Sequence, residues 1–451
     1  MSTSLFEIIG PIMVGPSSSH TAGMVRIGLL ANRYCKIEPK EICLTLSHGM
    51  RQTYRGHRSD CALVAGILGF EADSPLVKDA LTIAKNKGID LSINFFKEEE
   101  AAPNNVHISL TDSFGNSRSI RAVSVGGGSV VVTQLDGKDV DIDPVWEYGA
   151  TISEEFTFDR FDKVSDYCRE HGLTLPQLAV MYECRRSGFS EEEIRKLMKK
   201  QIEVMRQSIS KGVFEKNNML YGLTPGDDGN RLYERAASGQ AISGGRIMTA
   251  VAKAIGVMEH NASMGCIVAA PTAGSAGIIP GCLLTLQEEM GFDDEQLVDA
   301  LFVSGFAGVI MAHRNVSFSG SVGGCQGEVG VSSALAAVGL ASLCADDPDV
   351  VFHAAAMCLK NLLGLVCDPI AGPIEVPCIK RNAIGVANAF VSADMALAGM
   401  TSYIPPDEVV DALIDIQKRM PKELRCTVTG GLACTETAHC LRRRLQKELE
   451  N

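Results

Sequence analysis

The hydrophobic pattern of this chain changes period part-way along. Early on, Glu41–Ser47 alternates polar and apolar residues, the period-two signature of a half-buried strand. Val106–Thr111, Ser117–Val125 and Val130–Leu135 read as further strands. Between them lie an apolar run at Ile8–Val14, helical spacing through Met24, Ile27, Leu30 and Ala31, and an apolar helix over Ala62–Leu68. The order β-α-β-α-β-β-β predicts an α+β domain over residues 1–140, with helices packed on a mainly antiparallel sheet. Asp136–Glu155 is polar and acidic, carrying Asp139, Asp141, Asp143, Pro144 and Glu147. It reads as a linker, set at residues 141–155.

From Phe156 the spacing becomes helical. Ser190 with Glu193 has the form of a capping box for a helix reaching Lys211, and Asp293 with Gln296 for one reaching His313. Asp347-Pro348 supplies a cap and a first-turn proline to a helix over Val350–Leu363, which stops at Gly364 and delivers Cys367 just beyond its end. Pro406 opens another helix, with Val409, Leu413, Ile416 and Met420 on one face. Residues 156–451 are therefore expected to form a large all-α domain. The most apolar stretch, Cys266–Leu286, contains Pro271 and Pro280 and many small residues, and reads as a buried helix pair, not a membrane span.

Composition narrows the class. At 451 residues the chain exceeds one ordinary core, in keeping with two domains. Aromatics make up 6% with one tryptophan, Trp146, so Ala, Val, Leu, Ile and Met must fill the core, which favours close helix packing. A net charge of −12 without any basic run argues against a nucleic-acid partner. The fifteen cysteines sit in a long chain whose first residues, M-S-T-S-L-F-E-I-I-G, lack a basic segment followed by an apolar one. Reduced thiols and a cytoplasmic protein are expected.

The candidate chemistry centres on Gly320–Asn382. G-S-V-G-G-C-Q-G-E-V-G at Gly320–Gly330 and N-L-L-G-L-V-C-D-P-I-A-G-P-I-E-V-P-C-I-K-R-N at Asn361–Asn382 place Cys325, Cys367 and Cys378 in Gly- or Pro-rich turns. A single cysteine is usually a small buried hydrophobe. Three on such turns suit a metal centre assembled from separate loops, one ligand short of the four that close an iron–sulfur or structural zinc site. An open position is what a catalytic metal needs. Near the N-terminus, Ser17-Ser18-Ser19-His20-Thr21 precedes a helix, where hydroxyls and N–H groups make either an anion site or a plain cap. His57, in Thr53–Asp60, is either structural or a base.

G-P-S-S-S-H-T at Gly15–Thr21, A-A-P-T-A-G-S-A-G-I-I-P at Ala269–Pro280, G-G-C-Q at Gly323–Gln326, C-D-P at Cys367–Pro369 and P-C-I-K-R-N-A at Pro377–Ala383 resemble the bacterial iron–sulfur L-serine dehydratases, in order and over nearly the whole chain. The resemblance implies β-type and α-type parts fused in one chain, and a [4Fe–4S] cluster on Cys325, Cys367 and Cys378. It implies His57 as the base at Cα, and Ser17, Ser18, Ser19, His20, Thr21, Thr272 and Ser275 around the substrate. The α+β domain would cap the cluster, with Ser17–Thr21 and His57 facing it across a cleft. The three sulfurs would lie within roughly 7 Å of one another. A homodimer acting on a small molecule, with neither nucleic acid nor membrane as partner, is the expected form.

Some members use a C-terminal cysteine as a resting fourth ligand. Here the sequence ends Leu-Glu-Asn, and Cys426, Cys434 and Cys440 upstream leave that ligand unassigned. Ser321-Val322-Gly323-Gly324 stands where the family has Ala-Glu-Gly-Gly, Gly56-His57-Arg58-Ser59-Asp60 where it has Gly-His-Gly-Thr-Asp, and Gly49-Met50-Arg51 where it has Gly-Ser. Arg51 and Arg58 are thus candidates for a second anionic group, since Arg pairs with carboxylates in bidentate fashion. L-Serine leads, with a more acidic substrate second. A pyridoxal-phosphate lyase, with Gly320–Gly330 as its phosphate loop, and a non-enzymatic zinc or redox protein remain as further alternatives.

Overall fold

The computed structural model describes residues 3–97, 104–126, 128–142, 156–371 and 374–450. Most of the segment read as a linker, and Trp146 with it, lies outside the described residues.

The strands are β1 (Ile12–Val14), β2 (Glu41–Leu46), β3 (Asp90–Phe95), β4 (Asn105–Thr111), β5 (Ser117–Gly126), β6 (Ser129–Leu135), β7 (Lys138–Ile142) and β8 (Cys266–Val268). Six form one sheet in the order β3-β2-β4-β5-β6-β7. Only β2 and β3 run parallel; the other pairs are antiparallel, with Leu44 opposite Ile108. The α+β expectation holds. Ile42, Leu44 and Leu46 face inward, and helices Gly23–Cys35 and Ser59–Ile67 share that core. The two helices touch backbone to backbone: a Cβ on Gly28 would lie 2.2 Å from the Leu63 carbonyl oxygen, and one on Gly66 2.0 Å from that of Val25.

Three strands were missed: β3, β7 and the short β8. β3 alternates half-buried with exposed positions because it is a sheet edge, which weakens its pattern. β7 begins inside the run assigned to the linker. Asp136 and Gly137, both at positive φ, make the tight hairpin turn from β6.

The second region is helical, with the capping boxes at Ser190–Glu193 and Asp293–Gln296 both formed. Helix Asp294–His313 is long and apolar enough to cross a membrane, yet most of it is buried inside the protein. It packs on helix Val331–Ser342 in the core. Cys266–Leu286 is not a helix pair: it holds β8, a 3-10 turn at Ala273–Ser275 and the start of helix Ile278–Met290.

The first residues belong to the helical core. Leu5, Phe6, Ile8, Ile9 and Met13 are buried there, and a short helix Leu5–Ile8 packs against Asp294–His313. Glu183 fixes this segment, accepting from Ser4 Oγ (2.9 Å) and Leu5 N (2.8 Å) while paired with Arg186 at 2.9 Å. β1 then pairs antiparallel with β8, so a two-stranded ladder joins the regions and leads into Ser17 on one strand and Thr272 on the other.

Candidate active site

Cys325 follows Gly324, whose φ of +74° turns the chain out of Gly320–Gly323 and into a π-helical turn, Gln326–Gly330. Gln326 locks this turn to the next cysteine loop: its N–H donates to Leu365 O (2.9 Å), and its Oε1 accepts from Gly364 N (2.8 Å). Cys367 is held by a strand-like exchange, Cys367 N to Leu424 O (2.9 Å) and Cys426 N to Cys367 O (2.7 Å). Cys378 is the first residue of helix Cys378–Leu397, where the helix dipole favours a thiolate. All three cysteines are buried.

Two of them converge with a carboxylate, while Cys378 stands outside that tight group. Ligand atoms of Cys325, Glu328 and Cys367 lie within 4.8 Å of one another. Glu328 Oε2 is 3.9 Å from Cys325 Sγ and 4.0 Å from Cys367 Sγ. Hydrogen bonds among the thiols of Cys367, Cys325 and Cys426, then burial, push the Cys367 thiol far up. Burial pushes Cys378 up as well, reinforced by Cys325, Glu328 and Cys426. Cys426 is thus a fourth thiol in the group, on a residue at positive φ.

Arg381 supplies the positive charge. It donates to Cys325 Sγ (3.5 Å), Val366 O (2.7 Å) and Asp368 Oδ1 (2.7 Å). Burial opposes that charge, but Cys325 and Asp368 hold the guanidinium above its usual pKa. Although Glu328 keeps some accessible surface, burial pushes its carboxyl up to about 7, against a hydrogen bond with Thr272 and the charge of Arg381. Thr272 Oγ1 also lies 3.2 Å from Ser275 Oγ, and Ser275 reaches the Ala270 carbonyl at 3.3 Å. Asn382 ties this loop to the cysteines by donating to Gly274 O and Cys378 O, both at 3.0 Å.

A second cluster lies in the α+β region. The rings of His20 and His57 stack with centroids 4.6 Å apart, both buried. His57 Nδ1 is 3.1 Å from Thr53 O; a carbonyl only accepts, so Nδ1 carries the proton and Nε2 keeps its lone pair. Burial, then His20, lowers His57 to about 3. Burial lowers His20 to about 4, opposed by a hydrogen bond with Asn104. Ser17 and Ser19 place their Oγ atoms 3.4 and 3.1 Å from His20 Nδ1. Thr21 Oγ1 donates to His57 O (2.8 Å), and Ser18 is buried beside them.

Arg51 and Arg58 have partners of their own. Arg51 is exposed, its guanidinium 5.6 Å from the centre of the Phe95 ring. Arg58 donates to Lys78 O at 3.0 Å.

Comparison with known proteins places these clusters in a family. Residues 170–433 match the family model of the serine dehydratase alpha chain, and residues 4–135 that of the serine dehydratase beta chain. This chain belongs to the serine dehydratase family. It is similar to the L-serine dehydratase of Streptomyces coelicolor, 31% identical over 471 residues, covering 96% of this chain and 99% of that protein. L-serine dehydratase 2 of Escherichia coli is 30% identical over 467 residues, covering 95% of this chain and 98% of that one. The probable L-serine dehydratase alpha chain of Bacillus subtilis is 42% identical over 288 residues, 64% of this chain and 95% of its own length. The chain is thus an enzyme with alpha-type and beta-type parts in one polypeptide, as its motifs led us to expect.

Within the dehydratase the structure adds residues that motif reading passed over. Glu328 and Arg381 stood inside the quoted runs but were given no role. Cys426, by contrast, was one of three upstream cysteines left unassigned as a fourth ligand, and the fold singles it out beside Cys367.

Proposed function

We propose that this dehydratase converts L-serine to pyruvate and ammonia, using a [4Fe–4S] cluster held by Cys325, Cys367 and Cys378. The observation that carries this reading is the approach of the buried Cys325 and Cys367 thiols, from separate loops, to Glu328 in a chain of this family. The donor set fits the group. Thiolates are what such a cluster requires, and Arg381 offsets their charge. Gly320 forms part of the cradle, since a Cβ there would lie 2.5 Å from Glu328 Oε2 and 3.1 Å from Cys367 Sγ and would push the carboxylate aside. When bound, the cluster would supply a Lewis-acidic iron for the leaving hydroxyl.

The remaining work falls to the chain. Ser17–Thr21 and the Thr272–Ser275 loop would receive the substrate. His57, neutral and with Nε2 free, would take the Cα proton. Its low resting pKa keeps it unprotonated, and an arriving carboxylate would raise it and strengthen the base. Hydroxide leaves Cβ and departs as water after taking up a proton. The resulting enamine tautomerises to an imine, which water hydrolyses to pyruvate and ammonia. Serine is favoured because the relatives that match over nearly the whole chain are named L-serine dehydratases, while Arg51 lies over Phe95 and Arg58 donates to the Lys78 carbonyl but keeps a buried Nε without a partner among the described residues.

The test is anaerobic purification, iron and sulfide analysis, and a substrate panel of L-serine with acidic and thiol analogues. Iron, sulfide and pyruvate from serine are expected. Zinc in place of iron, or preference for an acidic analogue, would overturn the reading.

A further inference from the structure

Tyr221 stands where the two regions meet, and the mechanism above does not use it. It lies in the loop between helices Glu191–Phe214 and Asp228–Ala237. That loop is tied to the cysteine segment by Glu375, a buried carboxylate between Cys367 and Cys378. Glu375 accepts from the N–H groups of Tyr221 (2.8 Å), Leu223 (2.8 Å) and Thr224 (3.3 Å). Three backbone donors on one carboxylate leave the loop little freedom.

The Tyr221 hydroxyl then crosses to the α+β region and donates to Arg55 O at 2.7 Å. Arg55 O also accepts from Arg58 N at 3.0 Å, closing the turn that contains His57. That turn holds Arg58 at φ +55°, a left-handed conformation that a residue with a side chain adopts at a cost. His57 is fixed within it by its own N–H and Nδ1, both bonded to Thr53 O. A strained turn keeps one geometry only when its surroundings over-determine it.

We propose that Tyr221 is a positioning residue, which carries the placement of the Cys367–Cys378 segment, through Glu375, to the turn that presents His57. This rests on the reading of His57 as the base. Tyr221 touches neither substrate nor sulfur in this arrangement; it acts by setting the height and orientation of the imidazole. Displacing a catalytic group by about 1 Å can cost about a hundredfold in rate.

The experiment compares wild type, Tyr221→Phe, Glu375→Gln and His57→Ala as anaerobically purified full-length protein. Tyr221→Phe removes only the hydroxyl. It is expected to lower kcat about tenfold to a hundredfold with KM changed less than about twofold, since the loss falls on the chemical step. Its visible absorption and iron content should match wild type. The second readout does not depend on activity: exchange of the imidazole C2 hydrogens against deuterium, followed by mass spectrometry over pH. In Tyr221→Phe the His57 midpoint should move up toward an ordinary histidine, and amide exchange across Thr53–Ser59 should quicken. A merely structural role would lower thermal stability without moving that midpoint. Glu375→Gln should shift His57 in the same sense, and it keeps the proposal testable should Tyr221→Phe fold poorly.

Unchanged kcat and unchanged His57 exchange in Tyr221→Phe would overturn the proposal. Full turnover by His57→Ala would instead overturn the base assignment. An exchange shift in Tyr221→Phe would, even then, support the mechanical link.

Discussion

Gly320 shows how little room the thiol cluster leaves. A methyl group there would meet Glu328 Oε2 and Cys367 Sγ inside van der Waals contact. Gly320→Ala is therefore expected to fold with a loss of about 1–3 kcal/mol from overpacking, yet to bind much less iron, as metal analysis would show. Normal iron content would remove Gly320 from the cradle. Among the cysteines, Cys325→Ser, Cys367→Ser and Cys378→Ser should each lose iron. Cys426→Ser should keep it but change how fast the iron is lost in air, because its thiol stands at the edge of the group, beside Cys367 and within electrostatic reach of Cys378. Loss of iron equal to the other three would make Cys426 a holding ligand. The sequence made the first three legible because each stands in a Gly- or Pro-rich turn. Cys426 could not be told from Cys434 and Cys440, because its place depends on two hydrogen bonds between distant backbones, Cys367 to Leu424 and Cys426 to Cys367. His57 was legible as a candidate, but its tautomer and its stacking on His20 exist only once the turn is folded.

At the scale of elements, the paired histidines make acid sensitivity a property of the packing between the π-helical turn Ser18–Ala22, which carries His20, and the His57 turn. Both imidazoles have folded pKa values below the ordinary one, His20 at about 4 and His57 at about 3, each lowered first by burial. The unfolded chain thus binds protons that the folded chain refuses. The stability from this pair is complete above about pH 6.5 and is lost as the pH falls toward the folded values. The loss should reach on the order of a few kcal/mol by pH 4. Glu259 and Glu328, both raised to about 7 by burial, act in the opposite sense between about pH 4.5 and 7. A melting series from pH 7 to 4 in wild type and His20→Gln separates the two. The variant should show a shallower acid decline, and an identical slope would exclude the histidine pair as its cause. The same neutral His57 predicts that kcat/KM has no acid limb between about pH 7 and 5, where a histidine of ordinary pKa would give one. Strand patterning made most of the sheet readable. It failed at β3, a half-exposed edge, at β7, where acidic residues hid a two-residue turn, and at β8, which is too short to show a period.

For the whole molecule, the decisive fact is that the chain's first residues are buried in the helical core while its sheet is built elsewhere. The sequence could not show this, because Ile8–Val14 reads equally well as a strand of the sheet that follows it. Among the described residues, the ties between the regions include the Leu5–Ile8 helix, the β1–β8 ladder and the Tyr221–Arg55 hydrogen bond. The first is apolar and close-packed: a Cβ on Gly308 would lie 2.3 Å from Ile8 Cγ2. Association of the regions should therefore survive a cut in the chain between them. A protease site inserted between residues 143 and 155 of the full-length protein tests this. After cleavage the fragments should elute together from gel filtration, even at high salt, because burial of Leu5, Phe6, Ile8 and Ile9 does not depend on charge screening. Ile8→Asp in the same protein should cause separation, since it places an unpaired carboxylate in that core. Separation of the wild-type fragments would mean that the junction, and not the N-terminal segment, holds the enzyme together.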